Sequence, residues 1–240
     1  MDEQEWLECT EPTPMVEFLG SKASERKSRL LACAYCRRAW GILRDIRSKE
    51  ANEVAERYAD GQAGEEERSL AMDIASAAQQ TLWDEFRSSA FIDRQEEFKA
   101  TRELEVACAV WRTCLPSQAY ANDEVVGLPP RQVAYAIGGR KGFASEAAVQ
   151  SSVLHDIFGN PFRPITINPI WLTLTVLTLA QSAYDERIMP SGELDPARLA
   201  VLSDALEEVG CDNNDILNHL RGPGPHVRGC WVLDLLLGKE

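Results

Sequence analysis

The sequence predicts an all-α protein, an irregular helical bundle or two packed helical lobes. Three observations predict it. Alanine is abundant and β-branched runs are rare, which favours helix over strand. Apolar residues recur at intervals of three and four along most of the chain. Helix starts and stops are written in Asn-Pro, Asp-Pro and Asp-Gly pairs.

Taken in order, Glu3 to Cys9 predicts a short helix, closed by Pro12, and Pro14 opens a second turn with Met15, Phe18 and Leu19. Ser24 starts a longer helix through Arg44, with Leu30, Leu31, Cys33, Ala34, Ala39, Trp40 and Leu43 along one stripe. Ser48 is the expected N-cap of a helix ending at Asp60-Gly61. Glu65-Glu66-Glu67 suits a first helical turn, because acids there meet the positive end of the helix dipole. Glu96 to Leu115 predicts another helix.

Pro116 to Ser145 reads as an irregular connection, with Leu128-Pro129-Pro130 and Gly138-Gly139-Arg140-Lys141-Gly142. The glycine run lacks the spacing of a phosphate-binding loop. Glu146 to Phe158 is again helical. Asn168-Pro169 supplies an N-cap and a first-turn proline, predicting a helix to about Arg187 with Trp171, Leu174, Leu177 and Ala180 inward. Asp195-Pro196 repeats that signal, and Gly210 ends the helix it opens. Asp212 or Asn213 caps a short helix into Arg221. Pro223 and Pro225 allow no helix through them, and Pro225 is expected to start the last one. The expected organisation is an N-terminal lobe over 1–115, a connection over 116–145 and a C-terminal lobe over 146–240, or one single domain.

The 240 residues carry 38 acids against 25 bases, a net charge of −13, which opposes general binding to nucleic acid. No run of about 18 apolar residues exists, so no membrane span is expected. The acidic N-terminus lacks the features of an export signal, and the seven cysteines therefore read as thiols of a cytoplasmic protein.

Two clusters can carry chemistry. Cys33 and Cys36 share a helix face. They read as buried small hydrophobes, as reactive thiols, or as half of a zinc site completed by His219, His226, Cys211 or Cys230. Around Gly222-Pro223-Gly224-Pro225, Arg221, His226 and Arg228 reverse the sign of the local charge. With Arg163 they are candidates for binding an anion or phosphate; alternatively the arginines pair with carboxylates. His155, Asp156 and Arg163 form a third set suited to acid–base work, or else a solvated helix flank.

Several stretches resemble a large paralogous family of planctomycete proteins. They are Trp6-Leu7 with Pro14-Met15, Leu30 to Cys33, Cys36-Arg37-Arg38-Ala39-Trp40, Val54 to Gly61, His155 to Pro164, Tyr184 to Arg187, Asp204 to Cys211, and His219 to Trp231. The resemblance leaves out roughly residues 62–150. It implies a recurring domain, and no activity, cofactor or catalytic residue.

Without a complete catalytic set, the sequence points to a module that binds another protein, with neither nucleic acid nor membrane as partner. The alternative is a metal-supported or anion-binding enzyme built from Cys33, Cys36, His155, Arg163, His219, Arg221, His226 and Arg228.

Overall fold

The computed structural model describes residues 1–89, 93–116 and 123–239, with backbone alone for 123–129. Among the described residues, eleven α-helices make an all-α bundle and there is no strand. Two isolated bridges, Ile188 with Glu193 and Glu193 with Val227, are the only β pairing among them. No described helix is long and apolar enough to cross a membrane. The chain divides into two compact units.

The first unit comprises Met1 and Cys9–Ser151. Its helices are α2 (Pro12–Leu19), α3 (Glu25–Arg38), α4 (Ile46–Ala59), α5 (Glu65–Ser88), α6 (Arg94–Thr113) and most of α7 (Asp123–Phe158). α4 packs on α3, α5 and α6, and α5 packs on α6. Ser24 caps α3 as expected, accepting the Lys27 N–H. Asp45, and not Ser48, caps α4: its carboxylate accepts the Arg47 N–H, while Ser48 is buried inside the helix. Two buried arginines reach the end of α6. Arg29 donates to the carbonyl of Thr113 and Arg68 to that of Cys114, filling acceptors that a helix C-terminus leaves open. Both guanidinium groups also lie over the Tyr58 ring, at 4.9 and 5.7 Å. Arg37 forks onto Glu56 at 2.5 and 2.8 Å in the interior.

The stretch expected to be irregular, Pro116 to Ser145, is helical from Asp123 onward; residues 117–122 lie outside the described ones. The reason is burial. Val133, Ala134 and Ala136 are all within the core, so the segment has an apolar face despite its prolines and glycines. α7 breaks once, at Gly139, where φ is +56°, a value open to glycine and strained for other residues.

The second unit comprises Asp2–Glu8 and Ser152–Glu240. It contains α1 (Glu3–Glu8), the last turns of α7, α8 (Leu174–Asp185), α9 (Pro196–Glu208), α10 (Asn214–Arg221) and α11 (Trp231–Leu237). Val176, Ala180, Tyr184, Leu202, Leu206 and Leu233 lie in one core. Asp195 and Asn213 cap α9 and α10 as predicted.

Two expectations need correction here. Asn168-Pro169 opens only a 3-10 turn, Pro169–Trp171, and α8 starts anew at Leu174 under a second cap, the Thr173 hydroxyl. The restart turns Leu174 outward, with 81% of its surface exposed. The last helix starts at Trp231, not at Pro225. The backbone groups that an earlier start would use are taken elsewhere: the His226 carbonyl accepts the Leu194 N–H, and the Val227 N–H donates to Asp156.

Candidate metal centre

Four side chains of the second unit converge at one point. Asp156 stands in the last turn of α7. His219 stands in the last turn of α10. His226 follows in the loop after it, and Cys230 holds the position before α11. One oxygen, nitrogen or sulfur atom from each lies within 4.8 Å of all the others. Asp156, His226 and Cys230 are buried; His219 keeps 18% of its side chain accessible and is the one member in reach of solvent.

His219 Nε2 lies 3.0 Å from Asp156 Oδ1 and 3.2 Å from Cys230 Sγ. His226 Nδ1 lies 2.8 Å from the same Oδ1. The second carboxylate oxygen is fixed separately, by the Val227 N–H at 2.7 Å. Four ligands around a tetrahedral zinc ion, with bonds of about 2.0–2.3 Å, would sit roughly 3.3–3.6 Å apart. The three hydrogen-bond separations of 2.8, 3.0 and 3.2 Å are slightly tighter than that, and every pair lies within 4.8 Å.

The donor and acceptor count is compatible with a cation. His226 Nε2 is 3.2 Å from the Gly222 carbonyl, so this nitrogen carries the hydrogen. In the neutral ring, Nδ1 then aims a lone pair at a carboxylate oxygen. A proton or a metal ion must stand between them: a second proton on the ring, a proton on the carboxyl, or a metal ion. A hydrogen bond on the far nitrogen is also how metal-binding histidines are oriented. Electrostatics reflect the same convergence. Burial works against charge on both groups, yet the hydrogen bonds and mutual attraction of the pair outweigh it. Asp156 is held below its ordinary pKa and His226 above its own. Burial, and then the Asp156 charge, push the Cys230 thiol well up, so it is no nucleophile in this setting. Any ion that draws it in must displace its proton.

The remaining candidates have other surroundings. Cys33 and Cys36 lie in the core of the first unit, outside the four-residue group, and burial raises both thiols. Cys211 is buried in the core of the second unit. Arg163 reaches Glu3 at 2.6 Å. Arg221 meets Asp204 at 2.8 Å and also Glu207. Arg228 is buried, with its guanidinium 5.3 Å from the Tyr184 ring. Thus three of the four anion-binding candidates, Arg163, Arg221 and His226, are engaged by carboxylates of the chain itself. His155 turns away from Asp156 and meets the Trp6 carbonyl at 2.8 Å.

Sequence reasoning had His219 and His226, and held Cys230 in reserve. It missed Asp156 as a ligand. The available signal was its register: Asp156 follows Val153 by three residues and so shares the inward face of its helix, where an unaccompanied carboxylate is costly.

Comparison with family models, curated proteins and solved structures finds no match to this chain.

Proposed function

We propose that the second unit is a helical module folded around one zinc ion, held by Asp156 Oδ1, His219 Nε2, His226 Nδ1 and Cys230 Sγ. The observation that carries the reading is the convergence of four such atoms in a buried place, with one imidazole nitrogen near both oxygen and sulfur. One thiolate, two imidazoles and a carboxylate are a borderline-soft set, which suits zinc better than calcium or magnesium. Four protein ligands complete a tetrahedron and leave no position for a substrate, so the ion acts as a staple and supplies no chemistry. Binding it ties α7, α10, the Gly222–Gly229 loop and α11 together.

A module of this kind serves recognition of another protein. Ile170 and Leu174, with 74% and 81% of their surfaces facing solvent in the same unit, would be apolar contacts available to such a partner. The enzyme alternative requires a ligand position open to water, which this closed set does not offer.

Cobalt substitution tests the proposal. Cobalt(II) in place of zinc should give the intense visible bands of a tetrahedral site, together with a near-ultraviolet thiolate-to-metal band. Cys230→Ser should remove the ultraviolet band, and Asp156→Ala, which loses the ion, should remove the visible set. Pale, octahedral-type spectra in the unaltered protein would overturn the assignment.

A further inference from the structure

The seat of the N-terminal helix α1 is built from the wall of the metal centre. Trp6 is wholly buried, and its indole N–H donates to the Gly159 carbonyl at 3.0 Å. Its backbone carbonyl meets His155 Nε2, and its ring stands edge-on to the His155 ring at 5.5 Å. Glu3 accepts from the Asn160 amide at 2.7 Å and pairs with Arg163. Every one of these partners lies between residues 155 and 163, the stretch that presents Asp156. Behind it, Gly159 backs onto Trp231: a side-chain carbon there would stand 3.1 Å from the indole. The Trp231 ring in turn tilts over His219, 5.1 Å between centroids.

Gln4, Glu5, Leu7 and Glu8 are exposed. A six-residue helix is far too short to persist in water, so α1 is a helix only while seated.

We infer that α1 is a latch whose docking is coupled to the ion, a step that rests on the zinc reading above. An ion draws Asp156 and His219 into one cluster and fixes the Gly159 turn between the two tryptophans. Loss of the ion leaves that turn free to shift, and α1 unseats and unravels. Coupling of this kind is reciprocal: zinc favours seating of α1 by the same factor that seating favours zinc.

Two measurements on the full chain test it. Hydrogen exchange at residues 3–8 should slow when zinc is added to the chelator-treated protein. Zinc affinity, read by competition with a chromophoric chelator, should fall roughly tenfold in Trp6→Ala. Trp6→Phe, which keeps a buried ring and loses the indole N–H, should lie between. If zinc binds but exchange and affinity are both unchanged, the latch is overturned and the metal centre stands. If the unaltered protein binds no zinc, the metal centre itself fails and the latch with it. Exchange in the unaltered chain needs no variant, so misfolding of Trp6→Ala cannot mask the result.

Discussion

Asp156 joins the end of α7 to α10 and to the loop before α11. One of its oxygens gathers two imidazoles and the other fixes the Val227 N–H, all with 2% of the residue exposed. Asp156→Asn keeps the shape and removes the charge. It should lose the ion and destabilise the unit by about 3–5 kcal/mol, the scale of breaking a buried charged network. Urea denaturation followed by tryptophan fluorescence reads this. Thiols give a second residue-level expectation. Burial pushes Cys33, Cys36 and Cys230 well up, and Cys114 up to about 11. Brief alkylation of the folded protein near neutral pH should therefore modify Cys9, which is only half-buried, before any of these four. Mass spectrometry of the modified peptides will show the order, and early labelling of Cys33 or Cys36 would argue for the reactive-thiol reading.

At the scale of elements, local signals decided what could be read in advance. α9 and α10 begin where Asp195-Pro196 and Asn213 place them, because an N-cap is a contact between neighbours in sequence. α8 begins later than expected because Thr173 supplies a second, local cap, and α11 because distant residues intervene. The Leu194–His226 hydrogen bond and the Asp156–Val227 bond claim the backbone after Pro225, and neither is visible in the sequence between them. α4 offers a test of the caps. The Asp45 carboxylate accepts the Arg47 N–H and pairs with its guanidinium, and these hydrogen bonds hold its pKa below the ordinary 3.8. Asp45→Ala should cost about 1 kcal/mol. A depressed folded-state pKa means that this contribution is fully present above 3.8 and disappears as pH falls through the lowered value. Melts of the two proteins should therefore differ at pH 6 and converge in strong acid. A difference that grows with acidity would contradict the cap.

For the whole molecule, the all-α class was legible because periodicity and composition repeat the same message along the chain. The candidate metal centre was legible only in part. His219 and His226 advertise themselves as rare residues beside a rigid loop, whereas Cys33 and Cys36 had a more suggestive spacing and belong to the core of the other unit. Spacing along a helix brings two side chains to one face; it does not say what faces them. Because the four candidate ligands all belong to the second unit, chelation should lower the stability of that unit and leave the first untouched. Exchange followed by mass spectrometry should show protection lost in α10 and α11 and kept in α3 to α6. Acid should mimic chelation, since protons compete for both histidines and for the thiolate, so affinity falls with falling pH.

The most direct measurement is the metal content of protein purified natively, without a metal-binding tag, by inductively coupled plasma mass spectrometry. A single zinc ion per chain is predicted, retained in Cys33→Ser and lost in His226→Ala and Asp156→Ala. Protein that stays metal-free from zinc-replete cells, or that loses its zinc in Cys33→Ser while His226→Ala keeps it, would contradict the centre proposed above.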